Sequence, residues 1–103
     1  MNARDAAVAL ASGALALDVR ERAEWAAGRI AGALHVPLAE LQHRFDELPR
    51  DRPIVCVCRS GGRSALATQA LARAGLEIAN LAGGMKGWVA AGLPIDPADG
   101  YVA

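Results

Sequence analysis

The chain of 103 residues has no excess of either charge: 11 basic side chains balance 11 acidic ones. The balance is local as well as global, with seven basic and eight acidic groups in residues 1–52 and four and three in residues 53–103. Binding to a phosphate backbone needs a positive excess that neither half supplies, so no nucleic-acid partner is expected. Lysine is almost missing, Lys86 standing against ten arginines; base composition alone can produce that bias, and it carries no functional reading. Long apolar runs are absent too. Nothing approaches the ~18 consecutive apolar residues of a membrane span, so no membrane partner is expected. Ala6 to Leu17 has the faint look of a signal-peptide core. It fails as one, because Asp5 stands where basic residues should dominate and Ser12-Gly13 interrupts the run. Cys56 and Cys58 are the only cysteines. They form no disulfide framework, and a bridge between such near neighbours in an extended strand is sterically poor, so a reducing, cytoplasmic setting is expected. His35 and His43, the only histidines, fall on different expected elements. Nothing therefore calls for a Cys–His pair. No further side chains stand at zinc-ligand spacing around the cysteines, and neither a metal nor another cofactor is expected.

What remains is globular: 53% hydrophobic and 21% charged residues, enough for one core. Residues 1–103 are expected to form one domain, with its body over about 5–95 and a loose tail over 95–103 that Tyr101 could anchor. Asp5–Ala11 reads as a short helix ended by Ser12-Gly13, and Ala14–Leu17 as a short strand. Glu21–Ala27 reads as a helix stopped by Gly28, and Ala33–Val36 as a strand closed by Pro37. Leu38, Leu41, Phe45 and Leu48 recur at intervals of three and four, which predicts an amphipathic helix over 38–48. Pro53–Cys58 is apolar and β-branched, the pattern of a central buried strand. Ser64 is placed to cap a helix over 65–74 with Gly75 as its stop. A strand at 78–81 and a helix containing Trp88, ended by Gly92 and Pro94, complete the chain. Strands alternating with helices predict an α/β fold of three layers, a mainly parallel central sheet with helices on both faces. Trp25 and Trp88 are expected to pack helices against that sheet.

The informative stretch is Cys58-Arg59-Ser60-Gly61-Gly62-Arg63-Ser64, at the carboxyl end of the central strand and the start of a helix. Open α/β sheets bind ligands at that edge. A loop entering a helix N-terminus turns several N–H groups inward, and the positive end of the helix adds to their attraction for an anion. The glycine pair lets the backbone curl into such a cradle. Arg59 and Arg63 add positive charge nearby. A cysteine at the rim of this cradle should ionise more readily than a free thiol, whose pKa is ~8.5. Lowering that by about two requires ~2.7 kcal/mol of preferential stabilisation of the anion, within reach of amides and guanidinium groups acting together. Cys58 would then be a nucleophile without a dedicated base. Taken alone, a cysteine is more often a small hydrophobe. That reading suits Cys56, inside the apolar run, better than Cys58, beside Arg and before Gly-Gly.

In these residues the chain resembles a single-domain rhodanese. The resemblance runs over about residues 5–95, through Leu17-Asp18-Val19-Arg20-Glu21, Trp25-Ala26-Ala27-Gly28, Gly32–Leu38, the loop 58–64, Leu81–Trp88 and Ala91-Gly92-Leu93-Pro94. It implies sulfur transfer without a cofactor. Cys58 would take the outer sulfur of a small anionic donor such as thiosulfate, or of a persulfide, and pass it from a cysteine persulfide to cyanide or to a thiol, of a small molecule or a protein. The resemblance implies that Arg59, Ser60, Gly61, Gly62, Arg63 and Ser64 bind the donor. Asp18 and Arg20 occupy the family's Asp-x-Arg position and are read as structural support of the site, Asp18 pairing with an arginine. Arg29 and Ala31 stand where the family usually has His and often Pro. The resemblance also separates alternatives. Cysteine-dependent phosphatases and arsenate reductases resemble Cys-x5-Arg, whereas Arg63 follows Cys58 after only four residues. A non-catalytic binding or regulatory module on the same fold is the other alternative; such modules often lose the cysteine, which is present here.

Overall fold

The computed structural model describes all 103 residues. In chain order the elements are α1 (Ala3–Ala11), β1 (Leu15–Asp18), α2 (Arg22–Ala27), β2 (Leu34–His35), β3 (Ile54–Val57), α3 (Gly62–Arg73), β4 (Ile78–Asn80) and α4 (Gly84–Ala90). The four strands make one parallel sheet in the order β2-β1-β3-β4. This is the three-layer α/β architecture read from the sequence.

The apolar run of β3 follows from its place in the middle of the sheet. Alternate residues feed two separate cores. Ile54, Cys56 and Cys58 lie in the core shared with Ala67 and Leu71 of α3; Val55 and Val57 lie in the core shared with Ala3 and Ala6 of α1 and with Met85 and Trp88 of α4. A strand buried on both faces needs no polar alternation, hence the unbroken apolar segment. Register then decides what meets at the carboxyl edge. Asp18 pairs with His35 and Val57, and Cys56 with Asn80. The ends of all four strands therefore bring Asp18, His35, Cys58 and Asn80 to one edge of the sheet.

Two helical expectations change. The segment 38–48 is not an α-helix. It forms two 3-10 turns, Leu38–Glu40 and Phe45–Glu47. A spacing of three is also that of the 3-10 helix, and Leu38/Leu41 and Phe45/Leu48 are both three apart. The interval of four between Leu41 and Phe45 marks the join, where Arg44 N–H donates to Glu40 O at 3.0 Å. The apolar residues still face inward, with Leu41 and Leu48 buried. Second, α3 starts at Gly62, with Gly61 as its N-cap in the left-handed region (φ 105°). Ser64 is therefore inside the first turn and not a cap. At the other end Gly75 turns the chain as foreseen: its N–H donates to Ala72 O at 3.0 Å and that of Leu76 to Leu71 O at 3.1 Å, the paired bonds of a Schellman close.

Residues 95–103 are not loose. Arg29 and Asp96 exchange both main-chain hydrogen bonds, at 3.0 and 2.7 Å, and Tyr101 N–H donates to Ala27 O at 3.0 Å. The Tyr101 ring is 65% exposed, so the segment is held by main chain and by Ile95 and Val102 packing on the α1/α4 core, not by an aromatic anchor. Arg29 explains itself here: its Nη1 donates to Trp25 O at 3.1 Å and its guanidinium lies 5.2 Å over the Trp25 ring, locking the end of α2 to the returning tail. No helix is long and apolar enough to cross a membrane.

Candidate active site

Cys58 lies one residue beyond β3 and beneath the loop, not on its rim. It is 1% exposed, while Ser60 and Gly62 above it are exposed. Its Sγ accepts hydrogen bonds from Gly61 N–H at 3.1 Å and from Ser64 Oγ at 3.2 Å. Burial alone would raise the thiol's pKa. The Ser64 hydroxyl and the amides of Ser64, Gly61 and Ser60 overcome it and hold Cys58 below its ordinary value. Cys56, within β3 and facing the same core, has no such cradle, and burial pushes it up to about 12. One cysteine is prepared to ionise and the other is held neutral.

The loop is fixed by its neighbours. Met85 and Lys86 N–H, at the start of α4, donate to the Cys58 and Arg59 carbonyls at 2.9 and 3.0 Å. So close an approach is possible because Gly84, at φ 57°, carries no Cβ; one built there would sit 2.4 Å from Cys58 O. Asn80, at the end of β4, braces the loop from the side. Its Nδ2 donates to Gly61 O at 3.2 Å, and its Oδ1 lies 2.5 Å from Ser64 Oγ. The Ser64 hydroxyl has one proton and two acceptors, Asn80 Oδ1 and Cys58 Sγ. With a neutral thiol the S–H can donate to Oγ and the hydroxyl to Asn80; with a thiolate the hydroxyl turns to sulfur. Ser64→Ala is expected to raise the Cys58 pKa, because the thiolate loses a hydrogen bond of the charged kind, worth ~1.5 kcal/mol. The pH dependence of alkylation at Cys58 measures it.

Both arginines have partners in the structure. Arg63 Nη1 and Nη2 donate to Glu24 Oε1 and Oε2 of α2, both at 2.7 Å. Arg59 Nε donates to Ala103 O at 2.9 Å. Stabilisation of the sulfur is led by the hydroxyl and the amides, with both guanidinium groups engaged elsewhere. Asp18 and Arg20 are 1% and 0% exposed and pair with each other: Arg20 Nε lies 2.9 Å from Asp18 Oδ1, and Nη2 2.8 Å from Oδ2. Arg20 also donates to Gly28 O at 2.8 Å and to Glu24 O at 3.3 Å, anchoring α2 against the sheet edge. Trp25 packs α2 on the edge strand β2 of the sheet. It stacks on His35, centroids 4.6 Å apart and planes 7° from parallel. Trp88 packs as well, 4% exposed, its Nε1 donating to Pro94 O at 2.8 Å. His35 spends Nε2 on Arg20 O at 2.7 Å and lies on β2, with β1 between it and the strand of Cys58. The largest hollow, about 400 Å³, is apolar, lies between α3 and the 38–48 segment, and does not include Cys58.

Glu24 and Asn80 are the two site neighbours that sequence reasoning missed. Asn80 had a signal: an asparagine in a predicted strand is out of place unless its amide is used. Glu24 had none, since its partner lies 39 residues away.

The comparison that decides the family covers nearly all of these elements: the rhodanese-like domain profile matches residues 2–91. The chain belongs to the rhodanese-like domain family. Among solved structures, this rhodanese-like domain is similar to a rhodanese-related protein from Thermoplasma volcanium, with a TM-score of 0.88 and 35% identity over 92% of this chain and 94% of that one. A sulfurtransferase of Allochromatium vinosum is 41% identical over 84% of this chain and 81% of its own length. An HTH-type transcriptional regulator of Mycobacterium tuberculosis is 47% identical over 78% of this chain, which spans only 36% of that relative.

Proposed function

We propose that this rhodanese-like domain is a sulfurtransferase that carries a sulfane sulfur as a Cys58 persulfide. The observation that carries the reading is the Cys58 sulfur held by Gly61 N–H and the Ser64 hydroxyl at 3.1 and 3.2 Å, with its pKa below the ordinary value in spite of burial. The similarity to a sulfurtransferase over four-fifths of both chains supports the same chemistry.

In the first half-reaction the Cys58 thiolate attacks the outer sulfur of the donor. With thiosulfate the S–S bond breaks, its electron pair leaves with sulfite, and a new S–S bond joins Cys58 to the transferred sulfur. In the second, cyanide or a thiolate attacks that outer sulfur, and the Cys58 thiolate is the leaving group. No net oxidant or reductant is required. The cradle serves both half-reactions, because it stabilises the Cys58 thiolate that attacks in the first and leaves in the second. The amides of the loop from Ser60 to Ser64 receive the donor, and the Asp18–Arg20 pair supports the loop through Glu24, whose carbonyl accepts from Arg20 and whose carboxylate accepts from Arg63.

A second reading, a rhodanese-like module serving a larger regulator without chemistry of its own, is favoured by the similarity to the transcriptional regulator. Mass spectrometry separates the two. After treatment with thiosulfate or a small-molecule persulfide, the expected result is the gain of one sulfur on Cys58, removed by cyanide or dithiothreitol. An unmodified Cys58 with both donors excludes the sulfurtransferase reading.

A further inference from the structure

Arg63 stands in the first turn of α3, next to Ser64 whose hydroxyl holds the Cys58 sulfur, yet it is not free to serve an incoming anion. Both of its terminal nitrogens are taken by Glu24 in a two-pronged pair at 2.7 Å. Glu24 is itself fixed: its Oε1 also accepts from Glu21 N–H at 2.9 Å, and its carbonyl accepts from Arg20 at 3.3 Å. Hydrogen bonds from Arg63, against the opposing effect of burial, hold the Glu24 carboxyl down at about 2. The pair therefore stays ionised, and neutral overall, at every pH where a thiolate exists. Arg59 is turned to Ala103 O, and Lys86 extends into solvent, where hydration and salt weaken its field. What holds the sulfur is a cradle of amides and a hydroxyl, and the guanidinium of Arg63 beside it is cancelled by Glu24.

This has a consequence for the donor. Transfer from thiosulfate brings two negative charges against the thiolate, three in all, and releases sulfite as a dianion. Transfer from a persulfide anion, R–S–S⁻, brings one. The Cys58 thiolate takes the outer sulfur, the S–S bond of the donor breaks and R–S⁻ departs. A site whose cation is neutralised favours the second. Resting on the sulfurtransferase reading above, we infer that Glu24 is a specificity-determining residue that cancels Arg63 and selects persulfides of thiols over dianionic thiosulfate as the sulfur donor.

The test is single-turnover loading of Cys58, followed by mass, from thiosulfate and from the persulfide of N-acetylcysteine methyl ester, whose only charge is on sulfur. Wild-type protein should load faster from the persulfide. Glu24→Gln keeps the side chain's shape and its bond to Glu21 N–H but gives the pair a net positive charge. It should raise the thiosulfate-to-persulfide rate ratio by about tenfold. An unmoved ratio in folded Glu24→Gln protein overturns the inference. Should that variant not fold, salt decides on the wild type alone. Thiosulfate loading should speed up as ionic strength rises, because like charges are being screened, and a slowdown would mean that an uncompensated cation draws the donor in. Loading of wild type from neither donor would instead sink the sulfurtransferase reading itself, and this inference with it.

Discussion

Cys58→Ser is expected to lower sulfur transfer from thiosulfate to cyanide by at least about 10³-fold, whereas Cys56→Ser retains most of it. The two residues are chemically identical and face one core from positions two apart, so the contrast isolates environment. At position 58 the substitution removes the only sulfur that the Gly61 amide and the Ser64 hydroxyl touch. A serine hydroxyl does not ionise near neutral pH and cannot hold a persulfide. At position 56 the thiol is 0% exposed, and burial pushes it up to about 12. At neutral pH fewer than about one molecule in 10⁴ carries that thiolate, so its removal takes away packing and not a nucleophile. The cost of Cys56→Ser is a buried hydroxyl, ~1–3 kcal/mol of stability, visible as a lower melting temperature with catalysis intact. Steady-state assay of both variants at matched folded concentration checks it. Equal activity in both would remove Cys58 from the mechanism.

What could be seen of this in the sequence follows how local the causes are. The central strand was legible because burial on both faces writes itself as an unbroken apolar run. The cradle was legible because glycines after a strand and before a helix have few other uses. The 38–48 segment was misread because intervals of three fit a 3-10 turn as well as an α-helix, and only the backbone bonds separate them. The sequence places Ser64 at a cap because the extra turn depends on Gly61 adopting φ 105°, a choice the sequence permits without announcing. The partners of the arginines are not legible for another reason. Charge is visible in a sequence but its partner is not, and Arg63 meets Glu24 only after the pairing of β1 with β3 has brought α2 and α3 to the same sheet edge. Trp25 and the tail show the same limit, since stacking on His35 and the exchange of bonds between Arg29 and Asp96 depend on tertiary placement.

Arg20→Leu should destabilise the fold by about 3–5 kcal/mol, the usual cost of stranding one member of a buried ion pair. For a chain of this size that corresponds to a fall in melting temperature on the order of 15–30 °C. Asp18 is 1% exposed and receives Arg20 through Nε, Nη2 and the Arg20 amide, the last at 3.0 Å. Without the guanidinium its carboxylate keeps one main-chain donor and little water. A second substitution makes the argument specific. Asp18→Leu together with Arg20→Leu removes the stranded charge and should recover part of the loss, because a buried pair replaced by apolar groups is often near neutral. Recovery should stop short of wild type. Arg20 also ties Gly28 O and Glu24 O, and no apolar side chain can replace those bonds. α2 in the double variant would then lie less firmly on the sheet edge, and Glu24 with it. Thermal unfolding of the two single variants and the double variant gives the coupling energy directly. Simple additivity would mean that Asp18 and Arg20 act independently, against the contacts they make.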